Sequence, residues 1–384
     1  MDPTSLIVAT GMIFGLLTAD AAVSSNSLAV SVSVPPAIAQ TGFTAEVAER
    51  AFTSEFARMG QARSLLQAPS VRSAREPTIV GVIAKALKLD DFTSALQDLL
   101  GLDNPRVNFA VVVPAPNRTL LLINLVSRRS GPLSVQMQSD GGLEPLLRTG
   151  ALQAMEHFEP YRSSLFHFEQ ALLSSAPDFS RVKAVGQREL ARPQRAETLV
   201  QNSYIGNLLG IVALMETDRA AAERYFRESF RLNPDFNVGK LNLAFALIEL
   251  DRYREALDLL TPLVSVPLIP DITLPGRTAP LKEALHSTIG IARWGLGDLD
   301  GAEESFRTAV RAFPDSEAAH IYWARLLRER GRIADALALE DIARVNALTF
   351  DNYPEVANLF FWMNPKDNQP LQRRASRVVR TAAD

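Results

Sequence analysis

The chain of 384 residues contains no cysteine, which removes disulfides, thiolate metal sites and a cysteine nucleophile. Such a chain suits either redox compartment. Histidine is scarce, with only His157, His167, His286 and His320. His157 and His167 flank one predicted bend, but a metal pair would need further ligands and an outer shell to orient them. Structural, partly buried histidines are the simpler reading. Positive charge is not in excess either. The formal net charge is −3, whereas phosphate binding leans on clustered Lys and Arg, so nucleic acid is not an expected partner. HExxH, GxSxG, a Walker-type GKS or GKT and a strand-linked GxGxxG are all missing. No metal, cofactor or catalytic group is expected, and the chain does not read as an enzyme.

What is present is apolar. Hydrophobic residues make up 47% and charged residues 22%, enough to bury a sizeable core across two or three domains. Leu6 to Leu17 (LIVATGMIFGLL) is an apolar run too short for a bilayer span but suited to a signal-peptide core. Ala19-Asp20-Ala21 supplies a small-x-small site, yet MDPTS lacks the usual basic leader. Residues 1–25 are therefore expected to be a signal peptide or membrane anchor, with an ordinary buried helix as the alternative.

Residues 26–140 read as a small α/β domain. Leu28, Val30, Val32 and Val34 alternate as a half-buried strand that Pro35-Pro36 ends. Thr44 is placed to cap a helix carrying Val47, Ala51, Phe52, Phe56 and Met59. A polar stretch over 60–77 reads as loop, and IVGVIAKAL and FTSALQDLLG as short helices. Val107–Val113, Leu120–Ser127 and Leu133–Gln138 follow as an antiparallel meander. From Gly142 the pattern is helical throughout: a linking hairpin over 141–202 around Glu159-Pro160, an array over 203–350, and a tail over 351–384. The predicted architecture is mostly α, a small α/β domain followed by an α-solenoid of helical hairpins.

The array shows internal periodicity. Gly210, Ala222, Phe226 and Pro234 recur at the same spacing as Gly290, Ala302, Phe306 and Pro314. The Gly lets antiparallel helices approach, the Ala fits their crossing, the ring plugs the cleft to the next pair and the Pro ends the second helix. These positions resemble the tetratricopeptide repeat, a helix–turn–helix unit of about 34 residues. Units starting at Ser203 and Asn237 are contiguous, as are units starting at Glu283 and Glu317. Leu243-Ala244, Tyr253 and Ala256 fit the second unit, and Trp323-Ala324, Ala336 and Ala343 fit the fourth. The departures are Pro262 inside a second helix, Leu260 and Glu340 in place of the ring, and an insertion at 271–282 (DITLPGRTAPLK).

Val34-Pro35-Pro36, Gly42-Phe43-Thr44, Val80-Gly81 and Glu159-Pro160-Tyr161, with the apolar N-terminus and the repeats, also resemble a group of bacterial membrane-linked tetratricopeptide proteins. That resemblance implies membrane-linked scaffolding rather than an activity. It places the chain at an inner membrane or in a periplasm, or in the cytoplasm if the apolar segment is not a targeting signal.

Other candidates for chemistry have plainer readings. GLGDLDG (295–301) looks like a phosphate or calcium loop but falls between two repeat helices, where Gly297-Asp298 makes the turn. Asp90-Asp91 is placed to cap a helix, and Glu303-Glu304 to lie on a solvated face. Arg373, Arg374, Arg377 and Arg380 form a basic face that suits either an anionic membrane surface or a solvated terminal helix.

The first helix of each such repeat lines the concave surface. Helical spacing puts Tyr204, Asn207 and Ile211 there from the first unit, and Leu241, Phe245 and Ile248 from the second. Ser287, Ile291 and Trp294 follow from the third, then Ile321, Arg325 and Arg328 from the fourth. A groove apolar and aromatic for three units and basic at its end suits a protein partner's peptide or helix with an acidic terminus. The Lys/Asn carboxylate clamp of chaperone-binding members is not apparent. Coverage of the groove by the chain itself is the competing reading. The function expected is a non-enzymatic protein-interaction scaffold. The alternative is a sensor whose α/β domain binds a small molecule and signals through the array.

Overall fold

The computed structural model describes residues 27–60, 70–73, 105–115, 118–127, 130–139, 142–174, 176–266, 272–274, 277–279 and 281–350. They form two compact units that divide in sequence between Val185 and Gly186. The apolar segment 1–25, the two short helices expected between the loop and the meander, and the Arg-rich tail lie outside the described residues.

The first unit is built on a five-stranded sheet. Its strands are β1 (Ser27–Ser33), β2 (Ser70–Ser73), β3 (Arg106–Ala115), β4 (Arg118–Val126) and β5 (Leu133–Ser139), in spatial order β2-β1-β3-β4-β5. β3, β4 and β5 are the expected antiparallel meander. β1 joins it by parallel pairing with β3, and β2 adds in parallel outside β1. Sequence reading had Ser70–Ser73 inside a loop. Four residues of SVRS carry too little alternation to signal a strand; only pairing with β1 makes them one.

One face of the sheet is core. Leu28, Val30 and Val32, Val107, Phe109 and Val111, and Leu121, Ile123 and Leu125 are all buried. They meet Ala48, Phe52, Phe56 and Met59 of α1 (Ala45–Gly60). The rings of Phe52 and Phe109 stack at 3.7 Å. Thr44 caps α1 as expected, its hydroxyl accepting from the Val47 N–H at 3.3 Å, but Val47 itself faces outward. The next two helices, α2 (Leu143–Phe158) and α3 (Pro160–Leu172), are the Glu159-Pro160 hairpin. α2 lies on β4, β5 and α1. A Cβ on Gly150 would stand 2.4 Å from Leu121 Cδ2, so the glycine sets how close helix and sheet come. The hairpin therefore belongs to the sheet-containing unit. α4 (Ser180–Leu190) spans the division between units.

The second unit is four helical hairpins: α5 (Leu199–Met215) with α6 (Arg219–Leu232), α7 (Asn237–Glu249) with α8 (Tyr253–Leu260), α9 (Leu281–Gly295) with α10 (Leu299–Ala312), and α11 (Glu317–Glu329) with α12 (Ile333–Phe350). α5 and the turn before it are long and apolar enough to cross a membrane, yet 78% of that stretch is buried within the protein. It is a core helix of the array. α8 is short and passes into a 3₁₀ turn over Thr261–Ser265, because Pro262 cannot continue the α-helical bonding. The insertion contains a small antiparallel ribbon, β6 (Ile272–Leu274) with β7 (Arg277–Ala279).

The repeat positions do what their chemistry requires. A Cβ on Gly210 would sit 2.4 Å from Phe226 Cε1, and one on Gly290 2.5 Å from Phe306 Cε1. Each ring thus lies directly on the backbone of the facing helix. Each hairpin turn places one residue in the left-handed region: Thr217, Asp251, Gly297 and Gly331. Asp298 then caps α10 by accepting from the Gly301 N–H at 3.0 Å, and Asp218 caps α6 in the same way through Ala221. GLGDLDG is a turn and cap.

Gly210→Ala should destabilise the array by roughly 1–3 kcal/mol despite alanine's better helix propensity, because the ring has nowhere to move. Phe226→Leu in the same chain should restore part of the loss. Urea unfolding of the single and double variants reads both; an additive double variant would show that the two positions do not share one contact.

Candidate partner-binding groove

The first helices α5, α7, α9 and α11 pack successively on one another, while α6, α8 and α10 pack chiefly on the first helices of their own and the following hairpin. That is the inner layer on which the twelve predicted groove residues lie. The structure does not treat the twelve alike. Asn207, Ile211, Leu241, Phe245, Ile248 and Ser287 are buried, the last five to 1% exposure or less. Sequence reading had these six lining an open groove; they are packed inside the chain instead. The reason is visible in α7, of which 11 of 13 residues are buried. A helix apolar around its whole circumference has no face left for solvent. Asn207 is held between helices, where Asn242 Nδ2 donates to its Oδ1 at 2.8 Å.

The other six keep some surface, Ile321 among them half-buried. Tyr204 is half-buried, edge-on to Phe236 at 4.6 Å, and burial pushes its hydroxyl pKa up. Ile291 is half-buried. Trp294, also half-buried, donates from Nε1 to Glu329 Oε2 at 2.6 Å and stands edge-on to Phe306. Arg325 lies over the Tyr322 ring with its guanidinium 5.9 Å from the centroid. Arg328 is exposed, but Glu340 of α12 grips it at 2.7 Å through both oxygens. That pairing raises the Arg328 pKa and lowers that of Glu340. The basic end therefore presents Arg325, and Arg328 is already neutralised.

Residues 288–354 match the tetratricopeptide repeat family. That match spans most of the third and fourth hairpins, α9 to α12, and the array as a whole is consistent with tetratricopeptide repeats. Solved structures that overlap it include MamA, residues 41 to the end, from Desulfovibrio magneticus RS-1 (TM-score 0.35, 16% identity, 50% of this chain and 97% of that one). MamA from AMB-1 overlaps at a TM-score of 0.34 and 18% identity, over 47% of this chain and 94% of that one. At such scores nothing about partner or activity transfers. No curated protein matches the chain.

Two charged features of the tetratricopeptide array were not legible beforehand. Glu303, predicted to lie on a solvated face, is only 6% exposed and collects Arg307, Arg330 and Arg332 at 3.2, 3.1 and 2.8 Å. The same positions of the first hairpin pair likewise: Glu223 with Arg227 and, from the next turn, Arg252. In the first and third hairpins this carboxylate ties the second helix to the following hairpin. Glu304, its neighbour, does face solvent and pairs with Arg307 and Arg311. The histidines of the first unit share no face: His157 Nε2 lies 3.0 Å from the Gly131 carbonyl, and His167 Nε2 3.0 Å from Glu156 Oε1. Glu156 is buried and also accepts two bonds from Arg181.

The second feature is Glu283, at the start of the third repeat and wholly buried. Its Oε1 accepts from Ser287 at 2.8 Å and from Ser316 at 2.9 Å, and its Oε2 has no hydrogen-bond partner. Ser316 is also bonded through its carbonyl to His320 Nδ1, and the buried Tyr322 ring lies near. Two hydroxyls cannot replace the water lost, so desolvation pushes the Glu283 carboxyl up to about 7.

An unfolded glutamate titrates near 4.5, so the folded chain holds this proton more tightly. The resulting contribution is complete below about pH 4.5 and is lost as pH rises towards about 7. Glu283→Gln should flatten that part of the profile and stabilise the fold at pH 8 by on the order of 2–3 kcal/mol relative to wild type. Denaturant melts at pH 5 and pH 8 test this, and an unchanged difference between the two pH values in the variant would refute it.

Proposed function

We propose that the chain is a non-enzymatic scaffold whose tetratricopeptide array holds a segment of a partner protein. The contact surface is the first-helix layer of the third and fourth repeats. The observation that carries this reading is the contrast along that layer. α7 is closed, whereas the adjacent helices α9 and α11 keep Ile291, Trp294, Ile321 and Arg325 partly open. An indole and two isoleucines beside an arginine suit a short helix or extended peptide with an apolar anchor followed by an acidic group. Tyr204 of the first repeat, half-buried, would extend the surface only for a longer ligand. Operation at or beyond a bacterial inner membrane rests on Leu6–Leu17 and on the resemblance to membrane-linked repeat proteins.

A photo-crosslinking amino acid at Ile291 should capture a discrete partner in the native cell. The same group at Arg311, exposed on α10, should not. Trp294→Ala combined with Arg325→Ala should remove the crosslink while helicity by circular dichroism stays constant. Equal capture at Ile291 and Arg311, or capture untouched by the double substitution, would overturn the groove assignment.

A further inference from the structure

The sheet of the first unit ends on β5, which pairs with β4 and with no other strand among the described residues. Exposed strand edges are templates for pairing, and proteins blunt them with charge, proline, bulges or shortness. β5 has none of these. Leu133–Ser139 reads LSVQMQS, with no charged residue and no proline. Its ladder with β4 runs unbroken from Leu125↔Leu133 to Thr119↔Ser139, so no bulge twists the edge away. The opposite edge, β2, is four residues long and carries Arg72.

The side chains of β5 report an unfinished layer. On the inner strands the core-facing residues are 4% exposed or less. On β5 the apolar set Leu133, Val135 and Met137 is only half-buried, while Ser134, Gln136 and Gln138 are exposed. The apolar layer of the sheet continues to its rim, where α2 covers it only in part.

We propose that β5 is a dimerisation edge whose occupant is β5 of a second copy of this chain, paired antiparallel about a twofold axis through Gln136. The sequence is self-complementary in that register. Because side chains alternate faces with period two, the twofold keeps the apolar set of both copies on the same face. Val135 then lies opposite Met137 of the second copy, Ser134 opposite Gln138, Leu133 opposite Ser139, and Gln136 opposite itself, side-chain amide to side-chain amide. Like meets like in every pair but Leu133 with Ser139, and an isologous contact closes after two copies. The seam is small. It falls below the roughly 1,200 Å² of a stable interface, so the dimer should form reversibly and with concentration.

The absence of native cysteine allows a background-free test on the full chain. Facing residues of an antiparallel pair have Cα atoms about 4.5–5.5 Å apart, inside the roughly 4.4–6.8 Å that a disulfide spans. Under mild oxidation Gln136→Cys should yield a covalent dimer. Gln138→Cys should not, because its two copies would stand four residues apart along the seam, roughly 13 Å. Ser134→Cys mixed with Gln138→Cys should crosslink again. Without oxidant, light scattering should show Gln136→Lys dimerising about fivefold more weakly than wild type, since like charges meet on the axis. Mixing it with Gln136→Glu should restore the dimer. A wild-type chain monomeric at every accessible concentration overturns the proposal. So do equal crosslinking at positions 136 and 138, and a dimer indifferent to the charge pair.

Discussion

The architecture of the second unit depends on a ring lying against a bare backbone. Phe226 and Phe306 each occupy the space where a facing residue's Cβ would stand, and only Gly210 and Gly290 permit that approach. The other two hairpins solve the same packing problem with different volumes. The second and fourth hairpins carry Ala244 and Ala324 in place of the glycine, and Leu260 and Glu340 in place of the ring; both alanines are fully buried, and Ala324 packs with Leu327 and Ala336. Where the ring is lost the first helix regains a methyl. Interiors this dense tolerate exchange of volume between neighbours far better than a net change. The irregularities of the second and fourth repeats are therefore compensations within one design.

Electrostatics acts between hairpins rather than within them. Glu223 and Glu303 sit at one repeat position and bind arginines from the next turn, Arg252 and Arg332. Exposed ion pairs contribute little, but Glu303 is desolvated and shared among three guanidinium groups, which keeps its charge satisfied. Glu283 is the opposite case: a carboxyl buried between the third and fourth repeats with hydroxyl partners only. It couples the packing of those two repeats to protonation near neutral pH. The same two repeats carry the partly open residues Ile291, Trp294 and Arg325, so this titrating carboxyl and the proposed contact surface share one end of the array.

Much of the fold was readable from residues alone. Strands β1, β3, β4 and β5 follow from period-two alternation, and the hairpins from Gly, Ala, aromatic and Pro at fixed distances, because both patterns are written locally. β2 was not readable, since a four-residue strand exists only through its partner. The hairpin around Glu159-Pro160 was readable as helices but not as part of the sheet-containing unit. That depends on Gly150 admitting α2 to Leu121, a contact between residues far apart in sequence.

The groove marks the same boundary more sharply. The sequence determined the repeat, its turns and which helices form the inner layer, because spacing along a helix sets which side chains share a face. It could not decide whether that face meets solvent or protein. Phe245 and Ile291 occupy the same position of their repeats, yet one is buried and the other half-open. Nor could it reveal that Arg328 is spent on Glu340, or that β5 is left at a rim. Burial, charge pairing and strand neighbours are properties of what surrounds a residue, and only the tertiary structure brings those surroundings together.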